Sequence, residues 1–254
     1  MRHNYAVLLN LTLKFLLSIA LTACGSIFDH GVKQSESADI YLQLGVRYLD
    51  LNKLEISKQN LLIALDKDPN NAQIQNAYAF LCEKLEDYPK AKEHYLMALG
   101  ISPDAWSIQN NYGRFLCEQG DRQQGLEILK KAFATPLNDK PWIAITNAGR
   151  CQLDTQMQNN ALSYFEKALI HNPNYAPALL EMQKLSFNAG DYGVAQTYFK
   201  RYLDVGAYTP ASLWIAMETE FALGQSQMAH TYEEKLLEQF PLSKEAKQIR
   251  PVLQ

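Results

Sequence analysis

Asn110–Asp121 reads NNYGRFLCEQGD, the second half of a helix closed by a Gly-Asp turn. Tyr112 and Gly113 are followed at helical spacing by Leu116, so a small residue sits on the apolar face. Twelve residues after Gly113 comes Gly125, then Leu129 and Ala132, which read as a second helix. The same frame returns on both sides at a period of 34 residues. The chain is an array of repeats.

With Gly113 as the eighth position, that position is Gly45, Ala79, Gly113 and Gly149 in four successive units. Position twenty is Ser57, Ala91, Gly125, Ala161, Ala195 and Ala229, and position twenty-four is Leu61, Tyr95, Leu129, Phe165 and Phe199. Position twenty-seven is Ala64, Ala98, Ala132 and Ala168. Pro69, Pro103, Pro173 and Pro241 follow the second helix, which proline cannot continue. This alternation of small and large residues is the tetratricopeptide pattern. Two helices of a hairpin approach closely only where one offers glycine or alanine, and a larger residue there overpacks by about 1–3 kcal/mol. The expected fold is all-α, a tetratricopeptide-repeat right-handed superhelix of about six helical hairpins, at 38–71, 72–105, 106–139, 142–175, 176–209 and 210–243. Lys140 and Pro141 are extra to the period and lengthen the third connection. Gln183 and Met217 replace the small eighth residue in the last two units, while Tyr202 and Leu236 replace the alanine. Those hairpins are expected to splay or pack differently. Residues 244–254 form a short C-terminal helix or tail.

A chain of 254 residues, 47% apolar and 20% charged, can bury a substantial core, which a solenoid distributes between neighbouring repeats. The net charge of −3 and the absence of any Lys/Arg run argue against nucleic acid. The membrane signal lies at the start. Residues 1–23 read as a signal peptide, with Arg2 in a basic n-region and Phe15–Leu21 (FLLSIAL) as a short apolar stretch. Leu21-Thr22-Ala23-Cys24 resembles the bacterial lipobox, which makes Cys24 the lipidated first residue of the mature protein. The alternative is an ordinary signal peptide with an incidental cysteine. Gly25 after the cysteine favours the periplasmic face of the outer membrane over inner-membrane retention. Residues 24–37, polar and without periodicity, read as a tether.

More specific likeness lies in residues that the frame does not demand. NNYGRFLCEQGD, ITNAGRC at Ile145–Cys151 and ALLEMQKLSFNAGDYGVAQTYFKRY at Ala178–Tyr202 resemble the type IV pilus biogenesis/stability lipoproteins of the PilF/PilW family. The likeness runs over essentially the whole precursor, lipobox and longer third connection included. It implies a pilotin, carried to the outer membrane, that assists localisation and multimerisation of the pilus secretin. A different envelope repeat lipoprotein, a scaffold for peptidoglycan hydrolases or for outer-membrane protein assembly, is the alternative.

Catalysis has no constellation here. The five histidines share no metal-ligand spacing with cysteines or acid pairs, and neither a phosphate loop nor a nucleophile elbow occurs. No cofactor is implied. Cys82 occupies a core position and reads as a small buried hydrophobe. Cys117 and Cys151 fall on the first helices of neighbouring repeats, so they can meet across the seam as a disulfide in an oxidising compartment. Two separate buried thiols are the alternative. First helices line the inner face of such an array. Its track is Leu42, Val46, Leu49, Asn76 and Phe80, then Asn110, Arg114, Thr146 and Arg150, then Lys184, Phe187, Trp214 and Phe221. An apolar start followed by amides and guanidinium groups suits a peptide whose side chains enter first and whose carbonyls or carboxylates meet Asn and Arg.

Overall fold

The computed structural model describes residues 36–153 and 158–249, all helix and connection with no strand among them. The signal peptide, the lipobox with Cys24 and most of the tether lie outside the described residues. Glu36 and Ser37, assigned to the tether by sequence, already belong to α1, which covers 36–50. The helices then follow in pairs: α2 (Leu54–Lys67), α3 (Ala72–Lys84) with α4 (Tyr88–Ile101), α5 (Trp106–Glu118) with α6 (Arg122–Ala134), and α7 (Pro141–Cys151) with α8 (Gln158–His171). Two more pairs, α9 (Ala176–Asn188) with α10 (Tyr192–Leu203) and α11 (Pro210–Ala222) with α12 (Ser226–Gln239), precede the short α13 (Lys244–Ile249). The described chain forms two compact units, one ending at Ile108 and the other starting at Gln109.

In the first, third and fourth hairpins the eighth position meets the twenty-fourth. A Cβ placed on Gly45 would fall 2.5 Å from Leu61 Cγ, and one on Gly149 would fall 2.6 Å from Phe165 Cε1. Ser57 Oγ donates to Gly45 O at 2.8 Å in the same close approach. The turn between the two helices enters the left-handed region at a fixed place: Asn52 (φ 55°), Glu86 (60°), Gly120 (91°), Gly190 (81°) and Gly224 (75°). Asn71, Asp87, Asp121 and Thr209 then cap α3, α4, α6 and α11 with their side chains, satisfying N–H groups that the first helical turn leaves open.

Between hairpins the same three positions build the core. Ala38, Ala64 and Ile74 form one cluster in the first unit, and their repeat equivalents Ala72, Ala98 and Ile108 form the next. In the second unit Ala168 and Ala178 join a larger cluster with Phe165, Leu179, Met182 and Phe199. Each hairpin therefore buries the third residue of its successor, about 1.5–3 kcal/mol for an isoleucine.

Of the two outcomes expected for the last two hairpins, splaying or different packing, the second is found, since α9 packs on α10, and α11 on α12, as closely as α7 packs on α8. The large residues reach elsewhere. Gln183 Nε2 donates to Ser212 O of α11 at 3.3 Å, so its bulk fills the seam to the next hairpin. Tyr202 covers Gly206 and donates its hydroxyl to Ala207 O, holding down the connection to α11.

Candidate partner-binding site

The apolar part of the predicted track lies on the first unit. Position three is buried in every later hairpin, as Ile74, Ile108, Ala144, Ala178 and Ser212, and position seven likewise from Tyr78 to Ala216. In α1 the same two positions are Ile40, 58% exposed, and Leu44, 40% exposed. Val46, on the track itself, is also 40% exposed. The first hairpin thus presents to solvent the surface that its successors bury. Ile40 and Leu44 were absent from the sequence-derived track, although their place at the start of the array was the signal that could have found them.

Four residues of that track are corrected by their surroundings. Leu49 is buried, 8% exposed, because it lies one turn after Gly45 on the face that meets α2. Asn76 is buried in α3. Asn110 is buried too, with its Oδ1 accepting from Asn147 Nδ2 at 2.9 Å and its Nδ2 donating to Asn111 Oδ1 at 3.2 Å. Thr146 turns inward as well, donating its hydroxyl to Trp142 O. Leu42 is half-buried against Ala38, Ala64 and Ile74. Phe80 is half-buried with Lys84 Nζ 5.1 Å over its ring.

The polar part of the track lies on the second unit. Cys117 and Cys151 are joined by a disulfide, Cα atoms 5.3 Å apart, which ties α5 to α7. The Asn147–Asn110 hydrogen bond ties the same helices a second time. Between them opens a cleft of about 240 Å³ whose walls include Arg114, Glu118, Arg122, Asn147 and Arg150, with both half-cystines. Arg114 Nη1 donates to Glu118 Oε2 at 2.7 Å, and Arg150 Nε to Glu181 Oε1 of α9 at 2.8 Å. Arg122 and Asn147 were missing from the sequence-derived set. Farther along, Lys184 is exposed, Phe221 stands edge-on to His230 at 5.4 Å, Phe187 packs on Tyr192, and Trp214 sits half-buried against the core.

Among the described residues no group of His, Cys, Asp or Glu could hold a metal ion, and none of their helices is long and apolar enough to cross a membrane. The Cys82 thiol is buried, which pushes its pKa up to about 11 and leaves it protonated and unreactive at neutral pH.

No family model matches the chain. It is 29% identical over 238 residues to the type IV pilus assembly protein PilF of Pseudomonas aeruginosa, covering 92% of this chain and 94% of that one. The crystal structure of PilW, a widely conserved type IV pilus biogenesis factor, superimposes with a TM-score of 0.72 at 31% identity, over 84% of this chain and 97% of PilW. A tetratricopeptide repeat protein from Parabacteroides merdae shares the fold, with a TM-score of 0.56 at 18% identity over 80% of this chain and 79% of that one.

Proposed function

The chain belongs to the PilF/PilW family of type IV pilus assembly proteins, and on that premise we propose that it is an outer-membrane lipoprotein, anchored through Cys24, that binds the pilus secretin and assists its localisation and multimerisation. Its role in pilus biogenesis rests on kinship along nearly the whole length of both relatives. The secretin, the lipid anchor and the periplasmic face of the outer membrane extend that kinship with the lipobox sequence at Leu21–Cys24. The protein acts by binding and carries out no chemistry of its own.

One observation supports docking on the first hairpin. Ile40 and Leu44 hold repeat positions that every later hairpin keeps buried, and beside them Val46 is exposed. In the later seams the occupant of that surface is helical, as Ala38 and Ala64 are for Ile74. A partner helix laid over α1 would take the same place, with its apolar side chains at i, i+3 and i+4. Each apolar side chain so buried contributes about 1.5–3 kcal/mol toward the cost of association, and a few such anchors usually dominate an interface.

The test is capture of the secretin from detergent-solubilised envelope by the full chain and by Ile40→Asp and Leu44→Asp. Both variants should lose capture by about tenfold or more while circular dichroism stays helical. Undiminished capture by the two variants would remove the first hairpin from the interface.

A further inference from the structure

We infer that the solvent-facing side of α2 and α4 lies against the lipid headgroup layer of the membrane that holds Cys24, an inference that rests on the lipid-anchor part of the proposed function. Repeat positions twenty-five and twenty-six are Leu62 and Ile63 in the first hairpin, and Leu96 and Met97 in the second. All four are exposed, from 39% at Ile63 to 50% at Leu96. From the third hairpin on, both positions are charged in every repeat, from Lys130 and Lys131 to Glu234 and Lys235. The repeat frame therefore accepts charge there, and packing does not call for the apolar residues of the first two hairpins. Ile56, two turns before Ile63, and Ile101, one turn after Met97, are exposed as well and lengthen the two stripes. Both α2 and α4 pack on α3 within one compact unit, so the stripes belong to one body.

Two observations choose lipid as the occupant of this surface. The first is reach. Residues 25–35 separate Cys24 from Glu36 at the start of α1, a span of at most about 40 Å when fully extended. An anchor at Cys24 thus keeps the first unit beside the bilayer, and the apolar pairs occur on this unit and on no later hairpin.

The second is the charge that flanks the stripes. Position twenty-one, one turn before position twenty-five, is Lys58 and Lys92 in these two hairpins, and Leu126, Leu162, Gln196 and His230 in the later four. A lysine beside an apolar stripe lays its methylenes along it and holds its ammonium at the level of lipid phosphates. Asp66 and Glu93, each within a turn of Leu62 or Leu96, keep the local charge near neutral. That balance suits zwitterionic headgroups and not a strongly anionic surface. Apolar side chains then enter the boundary between headgroups and acyl chains, as they do for faces that lie in the interface without spanning it.

The test uses the full chain, purified from detergent-solubilised envelope and reconstituted into vesicles of phosphatidylethanolamine and phosphatidylcholine. A thiol-reactive fluorophore is attached beforehand at Leu62→Cys or Leu96→Cys, with Lys130→Cys and Lys200→Cys as the same position in later hairpins. Cys117 and Cys151 are bonded and Cys82 is buried, so the new thiol takes the label. Lipids spin-labelled just beneath the headgroup should quench the first two labels and not the second two. Lipids spin-labelled at the end of the acyl chain should quench none, because an interfacial face enters only about 5–10 Å. Ile63→Asp with Met97→Asp should abolish the quenching at Leu96→Cys, and Ile63→Leu with Met97→Leu should retain it, with circular dichroism helical in both. Equal quenching of all four labels, or quenching undiminished in the Asp variant, overturns the inference. Flotation with the vesicles scores the anchor separately. A chain that floats without preferential quenching overturns this inference alone, and a chain that does not float overturns the anchor and the inference together. Loss of secretin capture by the Asp variant, with no quenching by lipid in the parent, gives the surface to the protein partner and overturns the inference.

Discussion

Gly125 sits against Cys117 with no space for a methyl group: a Cβ there would lie 2.5 Å from Cys117 Sγ and 2.7 Å from Gly113 O. Two helices of the third hairpin cross at this point, and the same cysteine anchors the bond to the fourth. Gly125→Ala should therefore destabilise the protein by about 1–3 kcal/mol, since backbone and a tethered sulfur cannot both yield. Gly100→Ala is the counterpart. It meets nothing within 4 Å in α4, and should stabilise by about 0.4–1 kcal/mol through the unfolded state. Urea denaturation of both variants checks the pair, and equal effects would mean that the crossing is looser than described.

Glu86 holds a left-handed backbone conformation (φ 60°) that three other hairpins give to glycine. That conformation costs a residue with a Cβ about 1–2 kcal/mol, of which glycine's greater freedom when unfolded returns about half. Glu86→Gly should raise stability by about 0.5–1 kcal/mol, whereas Gly120→Ala should lower it. The urea midpoints of the two variants should move in opposite directions.

The Cys117–Cys151 bond closes a loop with a sequence separation of 34. In the chain-entropy account a loop of that size contributes at most about 4 kcal/mol. Cys117→Ser with Cys151→Ser should lower stability by up to that amount and speed hydrogen exchange in α5 and α7. Exchange in α3 should be unaffected. Acceleration spread evenly over both units would show that the bond acts on the whole chain.

The fold was legible because its repeating contacts are one small residue against one large one. Gly45 facing Leu61 and Gly149 facing Phe165 obey a rule that needs no knowledge of tertiary structure. Exposure was less legible. The inner-face rule treats each first helix alike, so Leu49 and Asn110 were assigned to a surface although packing on α2 and bonding to Asn147 draw them in. Ile40 and Leu44 escaped for the opposite reason, since a periodic pattern records what a typical repeat buries and says nothing of its ends. Of the two outcomes expected at Gln183, splaying or different packing, the pattern could not choose; the second holds because a long side chain can turn to the next hairpin, where Ser212 O accepts its N–H.

Burial lowers the pKa of His94, with Lys90 acting in the same direction and Glu93 and Asp87 opposing. Its Nδ1 donates to Gln75 Oε1 at 2.5 Å, and its ring stands edge-on to Tyr78. The neutral form is the folded one, so the unfolded chain takes up the proton first as pH falls below about 6.5. The contribution of His94 is complete above that pH and is lost as pH drops through the lower folded value. Wild-type stability should therefore fall more between pH 7.5 and 5.5 than that of His94→Gln, in which the titrating group is gone. Parallel pH profiles for the two proteins would show that the imidazole is not the group responsible.

Val46 and Leu49 lie within one turn of each other on α1 and face different environments, Val46 exposed and Leu49 buried. A charge at Val46 stays in water and adds no folding cost. The same charge at Leu49 enters the approach of α1 to α2, where an unpaired carboxylate is strongly disfavoured. Val46→Asp should consequently keep its helical circular dichroism and its melting midpoint while losing capture of the secretin. Leu49→Asp should lose capture only together with structure in the first hairpin, and Leu49→Met, which preserves volume, should restore both to within about 1.5 kcal/mol of wild type. If Leu49→Asp abolished capture in a fully folded protein and Val46→Asp did not, the docking surface would include Leu49 in place of Val46.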